Sequence, residues 1–221
     1  GDLTFADLAK YSFEFCSGAG GWSTDFEIEK DGSFKGNYHD SDMGDTGENY
    51  EDGTRYICGF SGDFTGLTKI NDYTYEMKME NLTYEETPGK EEIADGVKYI
   101  YTDVYGLEGT DTFKVYLPGA PVSDLSEEEY FWVRTANENG AEESQDTLTI
   151  PVIVNEKMEY GIYSYKRMTP YEEAQSTLNT YQASYDAAEE ELKKATLQSR
   201  MDDYAMQMYD ISDSCLNEIW N

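Results

Sequence analysis

The sequence predicts an α+β chain: an N-terminal antiparallel β-barrel or sandwich, then a long C-terminal α-helix or helical hairpin. Three observations carry this reading. Aromatic and polar residues alternate with a period of two in many short runs before residue 168. Turn signals rich in Gly, Asp and Asn separate those runs. From Thr169 onward the period changes to that of a helix, and Gly and Pro are absent from 171 to 221. The expected domains are a β-rich unit at 2–167 and a helical tail at 168–221.

Residues 11–16 (YSFEFC) place Tyr11, Phe13 and Phe15 on one face of a half-buried strand. In 24–38, Asp31-Gly32 joins two alternating runs, and this dipeptide predicts a hairpin with a type I′ turn. Residues 39–53 (HDSDMGDTGENYEDG) read as an acidic, glycine-rich loop. Strand character returns at 54–65 and at 73–79, where Tyr73, Tyr75, Met77 and Met79 alternate. Further strands are expected near 82–86, 97–104 and 112–117, before Pro118 and Pro121 close the series. Ser126 and Glu129 form a capping box that opens a short helix through Val133. After a polar loop at 136–146, residues 147–154 and 159–167 make a last strand pair. Thr169-Pro170-Tyr171-Glu172 supplies N-cap, first-turn Pro and N3 Glu for the tail helix. Ala174, Leu178, Tyr181, Tyr185, Ala188, Leu192 and Ala195 then mark an a/d stripe that needs a partner surface.

Composition narrows the function. The 221 residues carry a formal charge of −30, which repels phosphate backbones and anionic lipid headgroups. Cationic proteins and divalent cations remain as partners, beside the plain reading of a solvated acidic surface. Aromatics at 14% give enough bulk for a core, so the chain is not a disordered acidic tail. The alternating tyrosines read as core and cross-strand packing ahead of a glycan-binding groove. Cys16, Cys58 and Cys215 give no CxxC or Cys/His cluster. Cys16 and Cys58 sit in β-like runs where a cross-strand bridge is one option and two free thiols the other. His39 is the single histidine, with Asp40 and Ser41 as chain neighbours whose side chains diverge. No GxSxG, Walker A, HExxH or GxGxxG motif occurs, so no enzyme is expected.

The acidic loop holds the candidate metal ligands. Asp40, Asp42, Asp45 and Glu48 set oxygen ligands close together, with Gly44 and Gly47 for tight turning, in a pattern that suits Ca²⁺. The alternative is a plain solvated loop, and the pattern departs from an EF-hand because the terminal bidentate Glu is missing.

No run is apolar enough to span a membrane. The chain opens on Gly1 rather than Met, which suggests a removed N-terminal segment. A secretory or lipoprotein leader fits, and any membrane anchoring would run through it.

Two resemblances follow from particular residues. In the run TLQSRMDDYAMQMYDISDSCLNEIW, Gln198, Met201, Ala205, Tyr209, Asp213, Leu216 and Asn217 fall in register with the opening helix of the lysozyme inhibitor LprI-like family. Leu197, Asp202 and Trp220 replace that family's Thr, Asn and final aromatic, and its later Gln-x-x-Trp segment is absent. The match covers about 25 residues and implies an extracytoplasmic bacterial protein, secreted or a cell-surface lipoprotein, linked to lysozyme. It also implies that the tail is the start of a longer helical domain. Gly20-Gly21-Trp22 is similar to the Gly-x-Trp of lipocalin-like barrels, which favours a barrel over a sandwich. The functional expectation is an acidic binding protein for a cationic protein such as lysozyme. The alternative is a structural module of the cell envelope that oligomerises through its C-terminal helix.

Overall fold

A computed structural model describes residues 1–141, 143–188 and 191–220, the side chains of 216 and 218–220 excepted. It divides into two compact units, Gly1–Lys166 and Arg167–Asn221.

The first unit is a closed eight-stranded antiparallel barrel. Its staves are β1 (Tyr11–Cys16), β2 (Ser23–Ile28), β3 (Ser33–Asp42), β4 (Thr54–Lys69), β5 (Thr74–Tyr84), β8 (Thr112–Tyr116), β9 (Val152–Asn155) and β10 (Tyr160–Lys166). Each pairs with the next, and β10 closes on β1 with Tyr11 opposite Lys166 and Phe13 opposite Ser164. Closure removes the open edges that a sandwich would leave. Two insertions interrupt the meander. A hairpin of β6 (Glu91–Ala94) and β7 (Val97–Tyr101) follows β5, and α2 (Glu127–Glu138) follows β8.

The barrel is filled rather than hollow. Phe13, Phe15, Ile28, Phe60, Phe64, Met77, Phe113, Ile153 and Ile162 are all buried to 1% exposure or less. The period-two pattern places these inward while Ser12, Glu27, Lys35 and their neighbours alternate outward. Two Gly–Phe pairs make room for the rings: Phe34 lies opposite Gly62, and Gly36 opposite Phe60. A methyl group on Gly36 would stand 2.6 Å from the Phe60 ring, and one on Gly62 2.6 Å from that of Phe34. One end is plugged by α1 (Phe5–Leu8), whose Leu8 is buried. Strand β9 is buried on both faces, because Val152 and Val154 look outward under α2 while Ile153 looks inward. Gly161 on β10 lets α2 approach: a methyl there would meet the Glu129 carbonyl at 2.2 Å.

Several local expectations are corrected. The turn at Asp31-Gly32 is not type I′, since only Gly32 has positive φ (91°) there. Gly32 N donates to the Glu29 carbonyl over 2.9 Å, and Asp31 Oδ1 accepts from Ser33 N and Ser33 Oγ. The aspartate side chain thus stabilises an ordinary turn closed by a left-handed glycine. Residues 39–42, expected in the loop, continue β3, because β4 starts at Thr54 and pairs with them. The expected strands at 73–79 and 82–86 are one strand, β5, bent where Asn81 takes φ of 56°. Helix α2 runs five residues past Val133. Strand β6 lies outside the strands that the sequence predicts.

The second unit is a helical hairpin of α3 (Pro170–Asp186) and α4 (Glu191–Trp220). Thr169 Oγ1 accepts from Glu172 N at 3.1 Å, and Glu172 returns a bond to Thr169 N, as the capping box predicts. The continuous stripe is corrected. Ala174, Leu178, Tyr181, Tyr185 and Ala188 are turned from solvent, but Leu192 is 80% exposed and Ala195 is exposed. The seam restarts in a new phase at Lys194, Leu197, Met201, Tyr204, Met208 and Ile211, a 3-4 alternation on α4. Across it the rings of Tyr181 and Tyr204 lie 5.5 Å apart, with the Arg200 guanidinium 5.9 Å from Tyr181. No helix is long and apolar enough to cross a membrane among the described residues.

Candidate binding cleft at the barrel mouth

At the end opposite α1, β3 and β4 run on past the barrel rim. Residues 39–42 pair with 54–57, and β7 adds in parallel to β4, with Tyr56 opposite Ile100. Behind this projecting sheet the segment 102–108 folds over the mouth and inserts Val104 and Leu107, 3% and 0% exposed. Asn155, fully buried at the end of β9, holds that segment. Its Nδ2 donates to the carbonyls of Gly106 (3.1 Å) and Glu108 (2.8 Å), while Oδ1 accepts from Met158 N (3.2 Å). Thr24 Oγ1 donates to the Tyr105 carbonyl at 2.5 Å, and Glu108 caps Gly106 N at 2.5 Å. Gly106 must be glycine: its φ is 109°, and a methyl there would lie 2.6 Å from the Phe15 ring.

The mouth is aromatic. Phe15 is ringed by Trp22, Tyr105, Trp132 and Tyr160 at centroid distances of 4.7–5.2 Å. Trp22 thus caps the barrel core from the rim. Between the projecting sheet and the 102–108 segment lies a cleft of about 520 Å³ lined by Tyr38, Asp40, Tyr56, Asp103, Tyr105 and Glu108, with Thr102 and Val104. The Tyr38 and Tyr105 rings meet at 69° with centroids 6.1 Å apart. Burial, then the Asp40 charge, pushes the Tyr38 phenol up to about 12. Burial, then Asp103 and Glu85, pushes the Cys58 thiol up to about 12. Neighbouring charges acting on both groups are carboxylates and phenols, so the cleft is a region of negative potential.

The four proposed calcium ligands are spread along this sheet and its tip. Asp40 is on β3 and lines the cleft. Asp42 ends β3, and its Oδ1 accepts from Gly44 N (2.9 Å) and Asp45 N (3.1 Å). Asp45 pairs with Lys98 at 2.8 Å and accepts from Thr54 Oγ1 at 2.7 Å. Glu48 is in the loop beyond, and its side chain is exposed. Among the described residues no group of three or more His, Cys, Asp or Glu is gathered in metal-holding geometry.

The cysteines are free. Cys16 is on β1 and Cys58 on β4, with two strands between them, so a bridge is out of reach. His39, expected in a loop, is a strand residue. Its Nδ1 lies 3.5 Å from Ser23 Oγ, which donates instead to Asp25 at 2.8 Å. Serine, histidine and aspartate are close, yet the hydroxyl proton points at the carboxylate and not at the imidazole.

No family model, curated protein or solved structure matches the chain.

Proposed function

We propose that this chain is an extracytoplasmic, non-enzymatic binding protein for a cationic protein. A lysozyme is the partner that the LprI-like resemblance of α4 implies. The observation that carries the reading is the coincidence of a −30 charge with a mouth cleft of three tyrosines and three carboxylates and no lining lysine or arginine. Such a surface steers a cationic partner and gives it a defined place to dock. With the barrel interior filled by side chains, the binding place is the rim rather than a deep calyx. The hydroxyl of Ser23, committed to Asp25, supports a binding role over nucleophilic catalysis. The test is calorimetric titration of the protein with a lysozyme at several salt concentrations. Binding at fixed stoichiometry that persists near physiological ionic strength supports the reading. Attraction without stoichiometry that vanishes within that range refutes it.

A second reading, self-association through the tail, is favoured by one feature: α4 has 30 residues against 17 in α3, and so outruns its partner by about three and a half turns. Analytical ultracentrifugation decides it, since a single species of monomer mass would set it aside.

A further inference from the structure

We infer that the mouth cleft is a socket for the ammonium head of a lysine side chain presented by the partner; this rests on the cationic-partner reading above. The fold itself shows what its tyrosine–carboxylate pairs take. Lys98 Nζ sits 4.4 Å from the Tyr50 ring centre while pairing with Asp45 at 2.8 Å. Lys90 Nζ sits 5.1 Å from the Tyr101 ring and pairs with Glu86 and Glu92, each at 2.9 Å. Both are ammonium groups held between a ring face and carboxylates, the arrangement in which a cation gains from the ring quadrupole and the charge together. The cleft repeats these ingredients: Tyr38 and Tyr105 form an angled corner, Tyr56 a further aromatic wall, and Asp40, Asp103 and Glu108 supply charge. None of its lining residues is a lysine or arginine, so the complementary charge comes from outside. Its floor is fixed, because Asn155 and Thr24 hold the 102–108 backbone, and a preorganised site loses less entropy on binding.

The probe is a hexalysine peptide, titrated into the ¹⁵N-labelled full chain at low ionic strength. Shifts should concentrate at residues 38–40, 56 and 102–108. Asp40→Asn with Asp103→Asn should weaken the peptide by about tenfold, whereas Glu143→Gln with Asp146→Asn, the same loss of charge elsewhere on the barrel, should change it less than about twofold. Spectra of both variants establish that the barrel is intact. Shifts spread over the whole barrel with equal loss in both pairs, or no shift at all, overturn the socket. A lysozyme that fails to bind while the peptide still enters the cleft refutes the proposed partner and leaves the socket standing.

Discussion

Replacing Asn155 with alanine probes the link between the barrel core and the mouth. Its amide makes three hydrogen bonds, two to the Gly106 and Glu108 carbonyls and one from Met158 N, at complete burial. At about 1 kcal/mol net for each, Asn155→Ala should cost about 3 kcal/mol. For a unit of this size that is a fall in Tm of roughly 6–12 °C. Near-UV circular dichroism is the assay, since Phe15, Trp22, Tyr105 and Tyr160 report the packed mouth. Amide exchange should also quicken across 104–109 before the barrel strands open. Asn155→Asp is the sharper variant. It keeps the acceptor for Met158 but turns a carboxylate oxygen toward two carbonyls. The buried acid then titrates above its unfolded value, so this variant should be relatively more stable at low pH and lose stability as pH rises through its folded pKa. A Tm change under about 2 °C for Asn155→Ala would refute the claim that this residue organises the mouth.

The helical hairpin separates two stripes: Leu178→Asp should lower helicity by melting the α3–α4 seam, whereas Leu192→Asp, at a position 80% exposed, should leave far-UV dichroism unchanged. Gly161→Ala should cost about 1–3 kcal/mol in denaturant unfolding, because its methyl would meet the Glu129 carbonyl; Gly21→Ala, with open space around it, should be neutral. Stability should peak in mild acid. Burial raises the Asp25 and Glu129 carboxyls, so the native state holds protons there that the unfolded chain releases, and stability grows as pH falls through their folded values. Asp7, lowered to about 2 by hydrogen bonds from Lys10 and Thr4, acts oppositely: its contribution is present above its unfolded value and is lost as pH falls toward 2. Thermal scans from neutral pH downward check the sign, and a Tm that only falls on acidification contradicts it.

The fold was legible where a local rule sufficed. The alternating aromatics of β1, β2 and β5 face the barrel interior, and Ser126 and Thr169 cap the helices that their sequence signals announce. What stayed hidden depends on partners far along the chain. Closure of β1 on β10 joins residues about 150 apart, and no periodicity specifies it. The restart of the tail seam at Lys194 follows the end of α3 at Asp186, and neither Gly nor Pro marks that end in the sequence. Of the site residues, Asp40 stands out in the sequence as a candidate calcium ligand, and it lines the cleft. Asp103, Glu108 and Tyr105 belong to no motif, so nothing local in the sequence marks them. Asn155 carried one signal that was readable: a lone polar residue ending the apolar run Val152–Val154, where a buried amide needs partners.

The projecting sheet has a consequence for how the protein behaves in a crowd. A barrel offers no free backbone, but the sheet above its mouth runs β3-β4-β7-β6 and so has two outer strands. One of them presents Asp40, Ser41 and Asp42 along its rim, and the other is four residues long and begins with Glu91 and Glu92. Short, acidic margins of this kind repel their own copies and discourage one molecule from extending the sheet of the next. Ile93, 52% exposed on the shorter margin, is the residue those glutamates guard. The guard is electrostatic and weakens in concentrated salt, where edge-to-edge association would first be seen.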